Sequence, residues 1–151
     1  MIENREIMMR MFPELFEKIN IEPVENYSSY LLDILKSLAP RKCENDPKIV
    51  ILTPGPLNSA YYEHSYLADT MGVELVQGSD LIVEENLTYM RTTQGKQKID
   101  IIYRRIDDDY LDPLNFNSNS VLGLAGIMDL SLIHISEPTR RIGIAYAVFC
   151  V

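Results

Sequence analysis

Apolar positions along the chain follow two different periods, and the change between them divides the sequence. Over residues 3–19, Ile7, Met8, Met11, Leu15, Phe16 and Ile19 recur at helical spacing. Pro13 lies inside this stripe and lacks the N–H that an interior helical position needs, so the pattern predicts a kink or a split near Phe12. Ser28 or Ser29 can cap a second helix running to about Leu38, with Tyr30, Leu31, Ile34, Leu35 and Leu38 buried and Pro40 ending it. Residues 41–47 read as a polar linker.

The period then shortens. Lys48-Ile49-Val50-Ile51-Leu52-Thr53 is a continuous apolar run of the kind found in strands covered on both faces. Thr53-Pro54-Gly55-Pro56 interrupts it, and Asn58 or Ser59 can cap a helix striped by Ala60, Tyr61, His64, Leu67, Ala68 and Met71, with Gly72 as its stop. Val73-Glu74-Leu75-Val76 follows as a strand, so the order predicts a βαβ unit with a right-handed crossover. Leu81-Ile82-Val83 and Leu87-Thr88-Tyr89-Met90 flank Glu85-Asn86 as a hairpin. After a turn at Gln94-Gly95, residues 98–104 read as one further strand, residues 107–114 as a single helical turn, and residues 121–128 as the start of a helix rich in small residues. The fold class expected is α/β: a small βαβ-containing sheet with an appended β-hairpin and N-terminal helices.

The last stretch departs from this logic. Leu130-Ser131-Leu132-Ile133-His134-Ile135-Ser136-Glu137-Pro138-Thr139-Arg140 matches the translation of a transposase end joined to a sequencing adapter, and residues 144–151 resemble the translated far end of that adapter. Residues 130–151 are therefore expected to be adapter-derived, leaving residues 1–129 as the natural part; the competing reading is a natural strand pair around a Glu-Pro turn. Setting the tail aside leaves one histidine, His64, and one cysteine, Cys43. A Cys/His nucleophilic pair then has no basis.

Charge narrows the partners. A net charge of −8 argues against nucleic acid, which is gripped through clustered Lys and Arg, and against an anionic membrane surface. No apolar run approaches the roughly 20 residues that span a bilayer, and the first residues carry no signal-peptide pattern. The cytoplasm is the expected compartment. A length of 151 residues with 46% hydrophobic content allows one domain with a core of its own.

Two loops stand where chemistry is expected, since ligands of open α/β sheets bind beyond the carboxyl ends of strands. In the 53–58 loop, Pro54 and Pro56 donate nothing, so a phosphate cradle of Walker type is disfavoured and a carboxylate or amide contact through Asn58 or Ser59 is the better fit. The alternative is a plain strand-to-helix turn. Arg104 and Arg105 should point to opposite faces if their strand continues; one can grip a carboxylate in a bidentate manner while the other is held by Asp107, Asp108 or Asp109. Three adjacent carboxylates also suit a hard cation such as Mg2+, or they are a helix cap and a solvated acidic edge. His64 lies on an apolar stripe and reads as a satisfied core histidine ahead of a catalytic one. The tyrosines Tyr27, Tyr30, Tyr61, Tyr62 and Tyr66 read as core and rim packing.

Longer motifs carry a resemblance. Met1-Ile2-Glu3-Asn4-Arg5-Glu6, Arg10-Met11-Phe12-Pro13-Glu14-Leu15-Phe16, Leu52-Thr53-Pro54-Gly55-Pro56-Leu57-Asn58-Ser59-Ala60-Tyr61, Met90-Arg91-Thr92-Thr93-Gln94-Gly95 and Tyr103-Arg104-Arg105-Ile106-Asp107-Asp108-Asp109-Tyr110-Leu111-Asp112-Pro113 resemble the circularly permuted ATP-grasp family. The resemblance runs over residues 1–129. It implies a fragment of a larger ATP-grasp-type enzyme, an ATP-dependent carboxylate–amine ligase that uses ATP and Mg2+ and acts on a small-molecule or peptide substrate. In the family a metal-binding Glu-x-Asn segment precedes the Glu3-Asn4-Arg5 match, and the phosphate-binding lysines and glycine-rich loop come later. The resemblance therefore implies that this piece is the substrate-side region, holds no cofactor itself and is inactive alone. Arg5, Asn58, Arg104, Arg105, Asp107, Asp108 and Asp109 are the substrate-binding candidates it singles out. A stand-alone, non-catalytic binding module for a small carboxylate or peptide is the alternative.

Overall fold

A computed structural model of the chain describes residues 2–19, 21, 24–40, 43, 46–131 and 148–150. The first helical stripe is split as Pro13 requires. Helix α1 (Ile2–Met11) ends before Phe12, whose backbone (φ −131°, ψ 56°) leaves the helical region, and Pro13 opens α2 (Pro13–Lys18), where a missing N–H costs nothing. Helix α3 (Tyr27–Ser37) begins from Asn26 rather than from a serine cap. Ser29 Oγ instead donates to the Asn26 carbonyl at 2.8 Å, and Ser28 is buried with its Oγ 2.9 Å from Thr70 Oγ1. The buried face of α3 runs through Ser28, Leu31, Leu32 and Leu35. Tyr30, Ile34 and Leu38, expected inside, are exposed, since α3 turns its Leu31, Leu32 and Leu35 side to the sheet and α4.

Strand β1 (Ile49–Leu52) is buried at every position. The chain then forms α4 (Tyr61–Met71), which buries His64, Leu67, Ala68 and Met71 and stops at Gly72 in the left-handed conformation (φ 67°), as a residue without a Cβ allows. Strand β2 (Glu74–Val76) returns parallel to β1. A tight turn at Gly78–Asp80 leads to β3 (Leu81–Glu84), and Glu85 and Asn86, both at positive φ, turn the chain into β4 (Leu87–Thr92). That backbone suits the twist of a two-residue hairpin. β5 (Gly95–Lys98) completes a three-stranded antiparallel sheet in the order β3-β4-β5.

The segment expected as one strand over residues 98–104 is two strands in two sheets. β5 ends at Lys98, and β6 (Ile101–Arg104) lies parallel to β1 in the main sheet. Asp100 makes the transfer. Its carboxylate accepts the Lys48 N–H at 2.9 Å, while its own N–H and that of Ile101 donate to the Lys48 carbonyl. The main sheet runs β2-β1-β6-β7, with β7 (Val148–Cys150) antiparallel to β6.

Alternation along β1 and β6 builds two cores. Val50, Leu52 and Ile102 meet the hairpin sheet and the segment after β6 through Val76, Leu81, Met90, Ile99, Leu111, Leu124 and Ile127. Ile49, Ile51, Ile101 and Tyr103 face α3 and α4 through Leu35, Leu67, Ala68 and Met71. Helix α5 (Asp108–Leu111) is the single turn expected near residues 107–114. Residues 121–126, expected to begin a helix, are loop, and α6 starts at Ile127 (Ile127–Ser131). Their amides go elsewhere. Leu124 N donates to the Leu111 carbonyl, and the Asp112 carboxylate accepts N–H groups from Gly126, Met128 and Leu114 and from the Asn115 side chain, at 2.9–3.1 Å. Of the expected adapter-derived tail, the end of α6 and β7 are described; the rest lies outside the described residues.

Candidate functional site at the β1/β6 switch point

From β1 the chain leaves toward α4, on the face of Ile49 and Ile51; from β6 it leaves toward α5, whose Leu111 packs on the opposite face with Val50 and Leu52. The two loops therefore part at the carboxyl ends of adjacent parallel strands, the position where such sheets bind ligands. Backbone bonds fix both loops to the sheet: Arg105 N donates to the Leu52 carbonyl and Thr53 N to the Val76 carbonyl, each at 2.8 Å. Both loops singled out in the sequence thus meet at one edge.

The paired arginines divide as alternation requires. Arg104 is buried, ion-paired with Asp108 one helical turn on, and its Nη1 reaches the Ile106 carbonyl at 3.5 Å. It clamps α5 against the strand end. Arg105 points toward α4, with Nη2 3.9 Å from Glu63 Oε2 and its side chain 18% exposed. Of the two, Arg105 stands on the α4 side of the strand ends.

The aspartates do not converge on a cation. Asp108 is committed to Arg104, Asp107 occupies the residue before α5 with an extended backbone, and the Asp109 carbonyl accepts Asn117 N at 3.3 Å. Among the described residues no three His, Cys, Asp or Glu side chains are placed to hold a metal. Asp107, Asp108 and Asp109 thus stand at the start of α5, with Asp108 drawn to Arg104.

Asn58 is exposed, and it acts one step before the helix. Its Oδ1 accepts Ala60 N at 2.8 Å and its carbonyl accepts Tyr61 N, so Ala60, not Asn58 or Ser59, is the capping position of α4. Beneath this exposed rim Thr53 is buried, its Oγ1 2.9 Å from His64 Nδ1 and 3.3 Å from Gly55 N. Burial first, and then the nearby Arg105 charge, push the His64 imidazole down to about 4, against an opposing pull from Glu63. It is a satisfied core histidine, neutral at physiological pH.

Arg5 stands half-buried in the first turn of α1 beside Glu3. Glu3 Oε1 accepts the Tyr62 hydroxyl at 2.5 Å, which brings the start of α1 to the α4 end that carries Glu63. The hydrogen bond to Glu3 raises the Tyr62 phenol, and that to Glu6 pushes Tyr66 up to about 12. These tyrosines attach α1 to α4. A cleft of about 370 Å3 beside α1 is lined by Glu6, Met9, Arg10 and Glu25 and contains none of the candidate residues.

Several residues that build this edge gave no sequence signal. Gly78 and Gly123 let three backbones touch: a Cβ on Gly78 would stand 2.1 Å from the Gly123 carbonyl oxygen, and one on Gly123 would stand 2.0 Å from that of Leu111. Gln77 lies over Gly55, where an added Cβ would meet Gln77 Oε1 at 2.7 Å. Asp112 was visible only as part of a longer motif. Burial pushes its carboxyl up, but donors from Met128, Leu114, Asn115 and Gly126 outweigh that and hold it below its ordinary 3.8. None of these follows from periodicity, because each depends on a partner distant in sequence.

The profile described as "A circularly permuted ATPgrasp" matches residues 1–133, and the chain belongs to the circularly permuted ATP-grasp family. It is 53% identical over 128 residues to the uncharacterized protein Rv2411c of Mycobacterium tuberculosis, covering 85% of this chain and 23% of that protein. It is 50% identical over 129 residues to the uncharacterized protein sll0335 of Synechocystis, covering 85% and 27%. A more distant relative, the uncharacterized protein Rv2567 of Mycobacterium tuberculosis, is 30% identical over 126 residues, covering 83% and 14%. The chain spans about a quarter of the length of the first two relatives. No helix among the described residues is long and apolar enough to cross a membrane.

Proposed function

We propose that this chain is the substrate-side region of an ATP-dependent carboxylate–amine ligase, and that the carboxyl ends of β1 and β6 receive the carboxylate end of a small molecule or peptide. The observation that carries this reading is Arg105 at the carboxyl end of β6 in a family α/β sheet, its guanidinium 3.9 Å from the Glu63 carboxylate of α4. A guanidinium in that position can exchange an exposed carboxylate for a substrate carboxylate and bind it with two parallel hydrogen bonds. Asn58, in the adjacent loop, offers amide hydrogens, and Arg5 on α1 is kept as a further candidate from the family motif. Arg104 and Asp108 hold α5 at the end of β6, with Asp107 and Asp109 exposed beside them.

Mg-ATP does not fit the described residues. Pro54 and Pro56 supply no N–H to a phosphate, Asn58 already occupies the Ala60 amide, and the acidic residues do not converge. We place nucleotide binding in the remaining length of the longer relatives, assign this chain no cofactor and no activity of its own, and take the cytoplasm as its compartment. Residues 130–151 are given no part in the site.

Titration of the chain with a small peptide, followed by backbone amide shifts, tests this. Shifts at residues 53–60 and 105–109 are expected, and Arg105→Gln should weaken binding by about tenfold or more, as losing a charge-assisted contact does. Mg-ATP should leave the spectrum unchanged; micromolar affinity for it would overturn the assignment. Specific binding of the peptide at full affinity by Arg105→Gln would move the site elsewhere.

A further inference from the structure

The loop after β1 is tied within itself by Asn58, whose N–H donates to the Gly55 carbonyl at 3.1 Å and whose Oδ1 accepts Ala60 N at 2.8 Å. Pro54 and Pro56 donate no hydrogen bonds, and Leu57, Asn58 and Ser59 are exposed. Its buried anchor is Thr53, 1% exposed, whose hydroxyl has two polar neighbours, Gly55 N at 3.3 Å and His64 Nδ1 at 2.9 Å. A peptide N–H can only donate, so Gly55 uses a lone pair of Oγ1. The buried hydroxyl proton then has the imidazole as its acceptor, since a buried donor without a partner is costly. Nδ1 must be bare, and the ring proton must sit on Nε2.

We propose that His64 is a positioning residue for the carboxylate subsite: its bare Nδ1 orients the Thr53 hydroxyl, which fixes Gly55 and so sets the loop that carries Asn58. The inference rests on the function proposed above for that site. Gly55 takes φ +103°, a conformation L side chains rarely adopt, and Gln77 from the loop after β2 closes over it. The chain of contact runs from α4 through the end of β1 to the loop that follows it. Two charges face the imidazole, Arg105 from beyond β6 and Glu63 from α4 itself; burial and Arg105 together hold it down to about 4, so the acceptor is present throughout the neutral range.

The test separates positioning from packing. His64→Asn places an amide oxygen near the position of Nδ1, while His64→Leu keeps bulk and removes the acceptor. Nitrogen-resolved NMR of the wild-type ring should show the Nε2–H tautomer. In His64→Leu the Gly55 amide should exchange about fivefold faster or more relative to Ile51, the worth of one hydrogen bond, and His64→Asn should restore most of that protection. Peptide titration of the same variants should follow the order wild type, His64→Asn, His64→Leu. An Nδ1–H tautomer, unchanged Gly55 protection in His64→Leu, or equal loss at Gly55 and Ile51 in both variants would overturn the proposal. If no peptide binds the wild type, the subsite reading fails while tautomer and exchange still decide whether His64 sets the loop.

Discussion

Ile51 belongs to a continuous apolar run and Leu15 to a helical apolar stripe, and the molecule treats them in opposite ways. Ile51 is fully buried in the middle of a strand covered on both faces, whereas Leu15 is 46% exposed on a helix that buries none of its residues. Around Ile51, every position of β1 and β6 is buried. Around Leu15, the residues Ile7, Met8, Met11, Phe12 and Ile19 are also exposed, and α1 meets α4 through tyrosine–carboxylate hydrogen bonds. Periodicity announces an element and the face it would bury. It does not announce what will cover that face.

The sharpest challenge to the tightly built half is Gly123→Ala. The new Cβ would stand 2.0 Å from a backbone oxygen, and backbone on both sides cannot give way, so a loss above about 4 kcal/mol is expected in chemical denaturation. Gly72→Ala is the control: nothing lies within 4 Å of it, and only its left-handed backbone is strained, at about 1 kcal/mol. Similar losses for the two would mean the three backbones do not touch in solution.

Next comes the direct contrast. Ile51→Ala should cost about 3–4 kcal/mol through transfer and cavity terms, and Leu15→Ala about 1 kcal/mol or less. A Leu15→Ala loss matching that of Ile51→Ala would show that the helical stripe is covered in solution.

Asp112 sharpens the same contrast through pH. Its folded carboxyl lies below its ordinary 3.8, so the unfolded chain binds the proton more readily. Its contribution is full at neutral pH and is lost as the pH falls below 3.8 through the folded value. Asp112→Asn should flatten that part of the acid-unfolding profile and lower stability at pH 7 by about 1–3 kcal/mol; an unchanged profile would place the acid sensitivity elsewhere. The smallest effect is expected in the hairpin, where Lys96 and Glu84 pair in solvent. Lys96→Ala should change stability by about 0.5 kcal/mol or less, and less again in high salt.

The parts legible in the sequence are those written locally. The break at Pro13, the buried run of β1, the stop at Gly72 and the hairpin turn at Glu85-Asn86 each depend on residues a few positions apart, and each is present. The strand division at Asp100 was hidden because Lys48, its partner, stands far back in the chain. The loop at residues 121–126 was hidden for the same reason, since its amides answer to Leu111 and Asp112. In the site, position after a strand identified both loops and alternation separated Arg104 from Arg105. That Arg104 would clamp α5 while Arg105 faced Glu63 needed the sheet order.

The two-residue passage from β5 to β6 has a mechanical consequence. Ile99 is fully buried and bonded to the Thr88 carbonyl, and Asp100 is pinned to Lys48. The junction has no slack to absorb a twist. Hairpin and main sheet are therefore fastened to each other at the start of β6, the strand that leads to Arg104 and Arg105.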